Sequence, residues 1–171
     1  MLNAGRLRTI ALGAALAVMP LACASVPGVA PAELAELRRQ ADLHAIWQIE
    51  VEFHRAASNK DLDLIASLFT ENATFTTAGQ TFAGREEIRE FFATQAGPFK
   101  DENHWISETP AYKLDATVDG DQGTIYFECH YVDPGTRSVV SVVGADGTVA
   151  RIDGRWLMTT LTASSLPELA P

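Results

Sequence analysis

The side chains able to do chemistry in this 171-residue chain are few: four histidines, two cysteines, three tyrosines and a surplus of carboxylates. His44, His54, His104 and His130 form no i,i+4 histidine pair and no H-E-x-x-H motif, and no thiol stands at ligand spacing. No metal site is expected from them. Glu128 and His130 offer an acid–base pair, but strand alternation over residues 124–133 puts both on one face with Tyr126. Ile125, Phe127, Cys129 and Tyr131 fall on the other. The Glu128/His130 face is therefore read as an interface or solvated surface. Cys129 shares its face with apolar neighbours and no histidine, so it reads as a core thiol and not a nucleophile. Ser138, Ser141, Ser164 and Ser165 sit in no nucleophile elbow, and no glycine-rich phosphate loop occurs. Serine hydrolysis, nucleotide binding and any cofactor drop out. What remains is an aromatic set, Phe53, Trp105, Tyr112, Phe127 and Tyr131. Each one suits an ordinary core, whereas together with Cys129 they could line an apolar pocket with Tyr131 as its polar handle.

Those residues need a scaffold. Leu34, Leu37, Leu43, Ile46, Ile49, Phe53 and Ala57 fall at helical spacing, and Ser58-Asn59-Lys60 ends the run, which predicts one long amphipathic helix from about Ala32. Asp61 is placed to cap a second, short helix through Leu62, Ile65, Leu68 and Phe69. A third is predicted over residues 86–95, with Ile88, Phe91 and Phe92 on one face. Elsewhere the period changes to two, over residues 73–77 and 80–82 and then in runs starting at His104, Thr124, Ser138 and Arg155. Asp119-Gly120, Asp133-Pro134-Gly135 and Asp153-Gly154 supply turns, so the last four strands read as an antiparallel meander. Asp146-Gly147 makes the run from Ser138 either one bulged strand or two short ones. The expected class is α+β: three N-terminal helices pack on a curved, mainly antiparallel sheet, and the long helix buries its stripe against the concave face. A cone-shaped cavity is the product.

Arg6 and Arg8 precede an apolar run over residues 10–19 and then Ala22-Cys23-Ala24, the layout of a secretory signal peptide over residues 1–24. The run is too short to span a bilayer. Cleavage before Ser25 gives a soluble periplasmic or secreted protein; a lipid anchor on Cys23 is the alternative. Residues 25–31 read as a linker, 32–165 as one domain and 166–171 as a frayed tail. Of 13 basic and 22 acidic residues, cleavage removes Arg6 and Arg8 alone, leaving 11 against 22 and a net charge of −11. That excess repels phosphate backbones, so no nucleic-acid partner is expected. Cys129 is then the sole cysteine, which rules out an internal disulfide.

Several strings, in order, resemble one family. Residues 53–63 (FHRAASNKDLD) followed by 68–75 (LFTENATF) resemble the helix-turn-helix-strand opening of SnoaL-like proteins, a branch of the nuclear transport factor 2-like superfamily. Phe82-Ala83-Gly84-Arg85-Glu86-Glu87-Ile88-Arg89-Glu90-Phe91-Phe92 is similar to the family's G-r-e-x-I-r-x-F signature, and Asp153-Gly154-Arg155-Trp156 to its closing hairpin. The resemblance implies the cone-shaped fold but not one reaction, because polyketide cyclases, dehydratases and ketosteroid isomerases share it. Against ketosteroid isomerases, the oxyanion-binding tyrosine falls on Phe53 and the carboxylate base near Thr77, so that chemistry is not expected. The pocket histidine of many relatives falls on Trp105, with His104 pointing away; a slip of one residue would exchange the two. In this superfamily the convex face often packs on a partner, and Tyr126, Glu128, His130 and Trp156 suggest a homodimer there, with Trp156 buried by the second copy. Two functions are expected: an exported domain binding a small apolar or aromatic ligand, or a cofactor-free lyase or isomerase of the cyclase or dehydratase type using Tyr131, Tyr112 or His54.

Overall fold

The computed structural model describes residues 28–167. The expected leader, the first three residues of the linker and the last four residues lie outside them. Helix α1 (Pro31–Asn59) opens on a proline, whose missing N–H costs a helix start nothing, and ends where Lys60 turns left-handed at φ 56°. The chain reverses there because Lys60 still donates to the Ala56 carbonyl while its own backbone has left the helix. Asp61 then caps α2 (Leu62–Ser67) by accepting from the Leu64 N–H at 2.8 Å, worth about 1 kcal/mol. Next come β1 (Phe69–Thr77) and β2 (Gln80–Ala83), and only then α3 (Arg85–Thr94). The helices are thus interleaved with a hairpin and do not all precede the sheet.

The remaining strands are β3 (Ile106–Glu108), β4 (Asp115–Asp119), β5 (Gln122–Asp133), β6 (Ser138–Ile152) and β7 (Arg155–Ser165). The sheet is mixed. Its order is β2-β1-β7-β6-β5-β3 with β4 on the same edge of β5, and every pairing is antiparallel except β1 with β7. The β6 run stays one strand through Asp146-Gly147. Glycine is needed at 147 because a Cβ there would stand 2.3 Å from the Thr160 carbonyl oxygen of the neighbouring strand. Leu166 is no frayed end, since its N–H donates to the Val142 carbonyl at 2.9 Å.

The core lies between α1, α3 and the concave sheet face. Ile46, Ile49, Phe53 and Ala57 from α1 meet Ile125, Phe127, Val149 and Met158 from the strands, all buried. Two expectations fail here. Leu37 is 56% exposed, because the first three turns of α1 overshoot the core and Leu43 is the first of its residues to be buried. Trp156 is buried inside the protomer and not by a partner. The pairing of β6 with β7 passes from Thr148↔Thr160 to Val149↔Met158, leaving Thr159 as an extra residue. That bulge reverses the alternation and swings Trp156 to the side of Met158. Its ring then lies under the Arg151 guanidinium, 4.9 Å from ring centroid to Cζ, and its Nε1 donates to Asp42 at 3.3 Å.

Candidate functional site

The cone encloses a cavity of about 300 Å³. Phe53 from α1, Phe91 and Phe92 from α3, and Phe75 from β1 make its apolar walls, closed by Cys129 and Tyr131 on β5. Trp105 forms part of the rim, 6.1 Å from Tyr131 between ring centroids and seated on the Gly97 backbone, where a Cβ would come within 3.0 Å of the indole. His104 is exposed, so Trp105 and not His104 faces the cavity. The polar groups on the wall are few: Thr77, Gln95, Ser141 and the Tyr131 hydroxyl, and among the described lining residues there is no carboxylate or imidazole. Phe53 and Thr77 both line it and bring neither a hydroxyl on an aromatic ring nor a carbon-acid base.

Four of the six residues expected to contact a ligand thus share one cavity: Phe53, Trp105, Cys129 and Tyr131. Phe127 does not line it; fully buried, it packs edge-on against Phe53 at 5.2 Å and forms the floor beneath. Tyr112 is a correction, for it is 77% exposed. The run after Glu108 leaves the sheet and closes a 3-10 turn at Ala111–Lys113, which throws Tyr112 outward. Burial pushes the Cys129 thiol up to about 12, which keeps it protonated and unreactive. Burial likewise raises the Tyr131 hydroxyl well above the usual phenol range, against the smaller opposing effect of Ser107.

Beside the cavity lies a second group that periodicity did not single out. Glu50 and His54, one turn apart on α1, are both buried, with the carboxylate Oε1 3.1 Å from the imidazole Nε2. His54 Nδ1 stands 2.5 Å from Ser107 Oγ, and Nε2 also contacts Thr109 Oγ1. Burial pushes the Glu50 carboxyl up, yet its hydrogen bonds with His54 and Thr109 outweigh that and leave it below the ordinary range. These four residues line a small cleft of about 300 Å³ with Arg55 and Glu108. The signal was present in the sequence: Glu50 and His54 interrupt an apolar stripe at i,i+4, and Ser107 shares its strand face with Trp105.

The Glu128/His130 pair lies on the opposite face of the sheet. Glu128 is buried and accepts from the Tyr126 hydroxyl at 2.9 Å, with Lys113 Nζ at 2.9 Å and His130 Nε2 at 3.0 Å. It is a self-satisfied ion cluster, roofed by the turn that carries Lys113.

The family profile of the SnoaL-like domain matches residues 51–158. The chain belongs to the SnoaL-like domain family. Comparison with curated proteins gives no match. The SnoaL-like domain is similar in structure to a nuclear transport factor 2-like protein with a cystatin-like fold from Novosphingobium aromaticivorans, with a TM-score of 0.71 and 20% identity over 82% of this chain and 93% of the other. It is similar to LinA, with a TM-score of 0.65 and 18% identity over 78% and 91% of the two chains. A candidate dehydratase of the same fold family from Streptomyces avermitilis gives a TM-score of 0.61 and 16% identity over 75% and 98%. At such identities the SnoaL-like domain shares the others' cone, and only its own side chains speak for its chemistry. Among the described residues no helix is long and apolar enough to cross a membrane.

Proposed function

We propose that this SnoaL-like domain is exported and holds a small apolar or aromatic molecule in its cone cavity, touching it with Phe53, Trp105, Cys129 and Tyr131. The observation that carries the reading is the wall itself: aromatic rings on several sides and a few uncharged polar groups, Tyr131 among them, which is the make-up of a site that selects by shape and a small number of hydrogen bonds. Export rests on Arg6, Arg8, the apolar run after them and Ala22-Cys23-Ala24, with Ser25 or a lipidated Cys23 as the new N-terminus. A homodimer through the convex face is supported by a different patch from the one Trp156 suggested. Ile106, Val132 and Val139 stand side by side in the β3–β5–β6 register, Ile106 and Val139 are exposed, and contiguous apolar side chains in the open usually mark a contact. The buried Glu50–His54 pair favours a second reading, a cofactor-free lyase or isomerase of the kind suggested by the dehydratase likeness.

Native mass spectrometry of the protein expressed with its leader tests all three parts. The expected spectrum is a dimer of chains that begin at Ser25 or at a modified Cys23, carrying a small apolar adduct that dissociates on activation. A full-length Met1 chain retained in the cytoplasm would overturn export, and monomer alone at micromolar concentration would overturn the dimer. If apo protein also failed to bind any of a panel of small aromatic hydrocarbons and ketones, the ligand-binding reading would go.

A further inference from the structure

The cleft beside the cavity holds a second constellation able to do chemistry. Ser107 Oγ stands 2.5 Å from His54 Nδ1, and the Glu50 carboxylate stands 3.1 Å from Nε2 on the far side of the same ring. Hydroxyl, imidazole and carboxylate are thus joined in a line. All three residues are buried yet line the cleft, so a small molecule reaches them and a macromolecule does not. No local motif marks Ser107 as a nucleophile, because β3 delivers it by pairing with β5 and the imidazole comes from α1.

The hydrogens of this network fix where the free lone pair of the imidazole lies. Thr109 donates its one hydroxyl hydrogen to the Glu128 carbonyl oxygen at 2.6 Å, so toward His54 Nε2 its Oγ1 can only accept, as the Glu50 carboxylate also does. Nε2 therefore carries the hydrogen of the neutral ring, and Nδ1 is left bare, facing the Ser107 hydroxyl. That is the tautomer a general base needs, held on its other side by a carboxylate that stabilises the imidazolium formed during the step. Ser58 accepts from the Ser107 N–H at 2.9 Å and lines the same cleft, which leaves its own hydroxyl hydrogen able to turn to a substrate oxygen. The Arg55 guanidinium, paired with Glu52, lies along the same wall as a second donor.

We propose that Ser107, His54 and Glu50 hydrolyse a short-chain carboxylic ester in this cleft. Ser107 Oγ bonds to the acyl carbon while its proton passes to His54 Nδ1; the carbon–oxygen bond to the alcohol then breaks, and the alcohol leaves with that proton. Water next gives a proton to Nδ1 and its oxygen to the acyl carbon, the bond to Oγ breaks, and Oγ regains the proton as the carboxylic acid departs. Nothing is oxidised or reduced, and the protons that pass over His54 come from Ser107 and from water. Ser107 and His54 are the catalytic residues, and Glu50 is a positioning residue. The acyl group is short because the cleft is about 300 Å³ and Val51 is the one apolar side chain among the described residues of its wall. The reaction is independent of the cavity's being a ligand site, since no residue lines both.

Diisopropyl fluorophosphate, which phosphorylates activated serines with loss of fluoride, tests the site on the intact protein. Peptide mapping by mass spectrometry should find the adduct on Ser107, and p-nitrophenyl acetate should leave an acetyl group on the same residue and turn over. Ser107→Ala should abolish the adduct. His54→Gln should slow its formation about a hundredfold or more, the usual weight of a positioned base. Glu50→Gln should slow it too, and Glu50→Asp should recover part of the rate, which a packing role alone would not produce. Melting curves are the control for folding; should a variant not fold, the position of the adduct in the unmodified protein still decides. An adduct elsewhere, no adduct at all, or equal labelling of folded His54→Gln overturns the proposal. The cavity reading is untouched by each of these results and stands or falls by the binding of small aromatics.

Discussion

Phe127→Ala should lower the stability of the folded domain by about 3–5 kcal/mol, the usual cost of emptying a fully buried phenylalanine site. Its side chain has no exposed surface, and it sits near the middle of β5 opposite Ala145 of β6, between the stretches of β5 that pair with β4 and β3. The ring meets Phe53 edge-on at 5.2 Å and the His54 imidazole at 5.9 Å between centroids, so it is the plate on which the buried face of α1 rests. Truncation leaves a void between helix and sheet that neither element can close, because α1 is also held by Ile46, Ile49 and Ala57 and the strand by its ladder. The expected fall in melting temperature is roughly 10–20 °C. A loss below about 1 kcal/mol in urea unfolding would mean that α1 slides to refill the space and that the α1–β5 contact is not the centre of the core.

The second large effect is on acid stability, through Glu128. Burial by itself would push this carboxyl up, but hydrogen bonds from His130, Lys113 and Tyr126 outweigh it and hold the group at about 2, below the ordinary 4.5. A carboxyl depressed in the folded state stabilises the fold above its unfolded value and loses that contribution as pH falls through the folded one. The Glu128 cluster is thus fully effective at pH 7 and weakens from about pH 4.5 down to about pH 2. Glu128→Gln should cost about 1–3 kcal/mol at pH 7, because Lys113 and His130 lose the charge they face. Near pH 2 the difference between the two proteins should shrink toward zero. Chemical denaturation of both proteins at a series of pH values reads this directly. A difference that stays constant from pH 7 to pH 2.5 would show that the lost interaction is not ionic.

Much of the fold and part of the site are legible in the residues themselves, and where legibility stops is physical. Asp61 caps α2 because a cap is a contact over three residues, which the local sequence contains in full. Phe53 lies on the stripe of α1, and Cys129 and Tyr131 alternate inward along β5; these are consequences of period, and the elements are regular over those stretches, so period carries. Trp105 against His104 was a question of register, and register belongs to pairing with β5 and to the seat on Gly97.

Period misleads where one residue breaks the count. Thr159 does so in β7 and turns Trp156 from an expected dimer contact into an internal one. Tyr112 was misplaced for a similar reason, since β3 is only three residues long and the chain then leaves the sheet. Leu37 keeps its helical phase yet finds nothing to pack on, which depends on how far the sheet extends and not on the helix. The sequence by itself therefore determined the family, the class of fold, the helical stripe and the inward face of β5, all of which arise within one element or from an ordered set of local strings. Only the tertiary structure decided what His54 touches. Its partners Ser107 and Thr109 lie 53 and 55 residues further on, and the Thr109 hydroxyl is itself held by donating to the Glu128 carbonyl of β5. Such a network exists only once α1 has been laid across the edge of the sheet, because no short stretch of chain contains both of its ends.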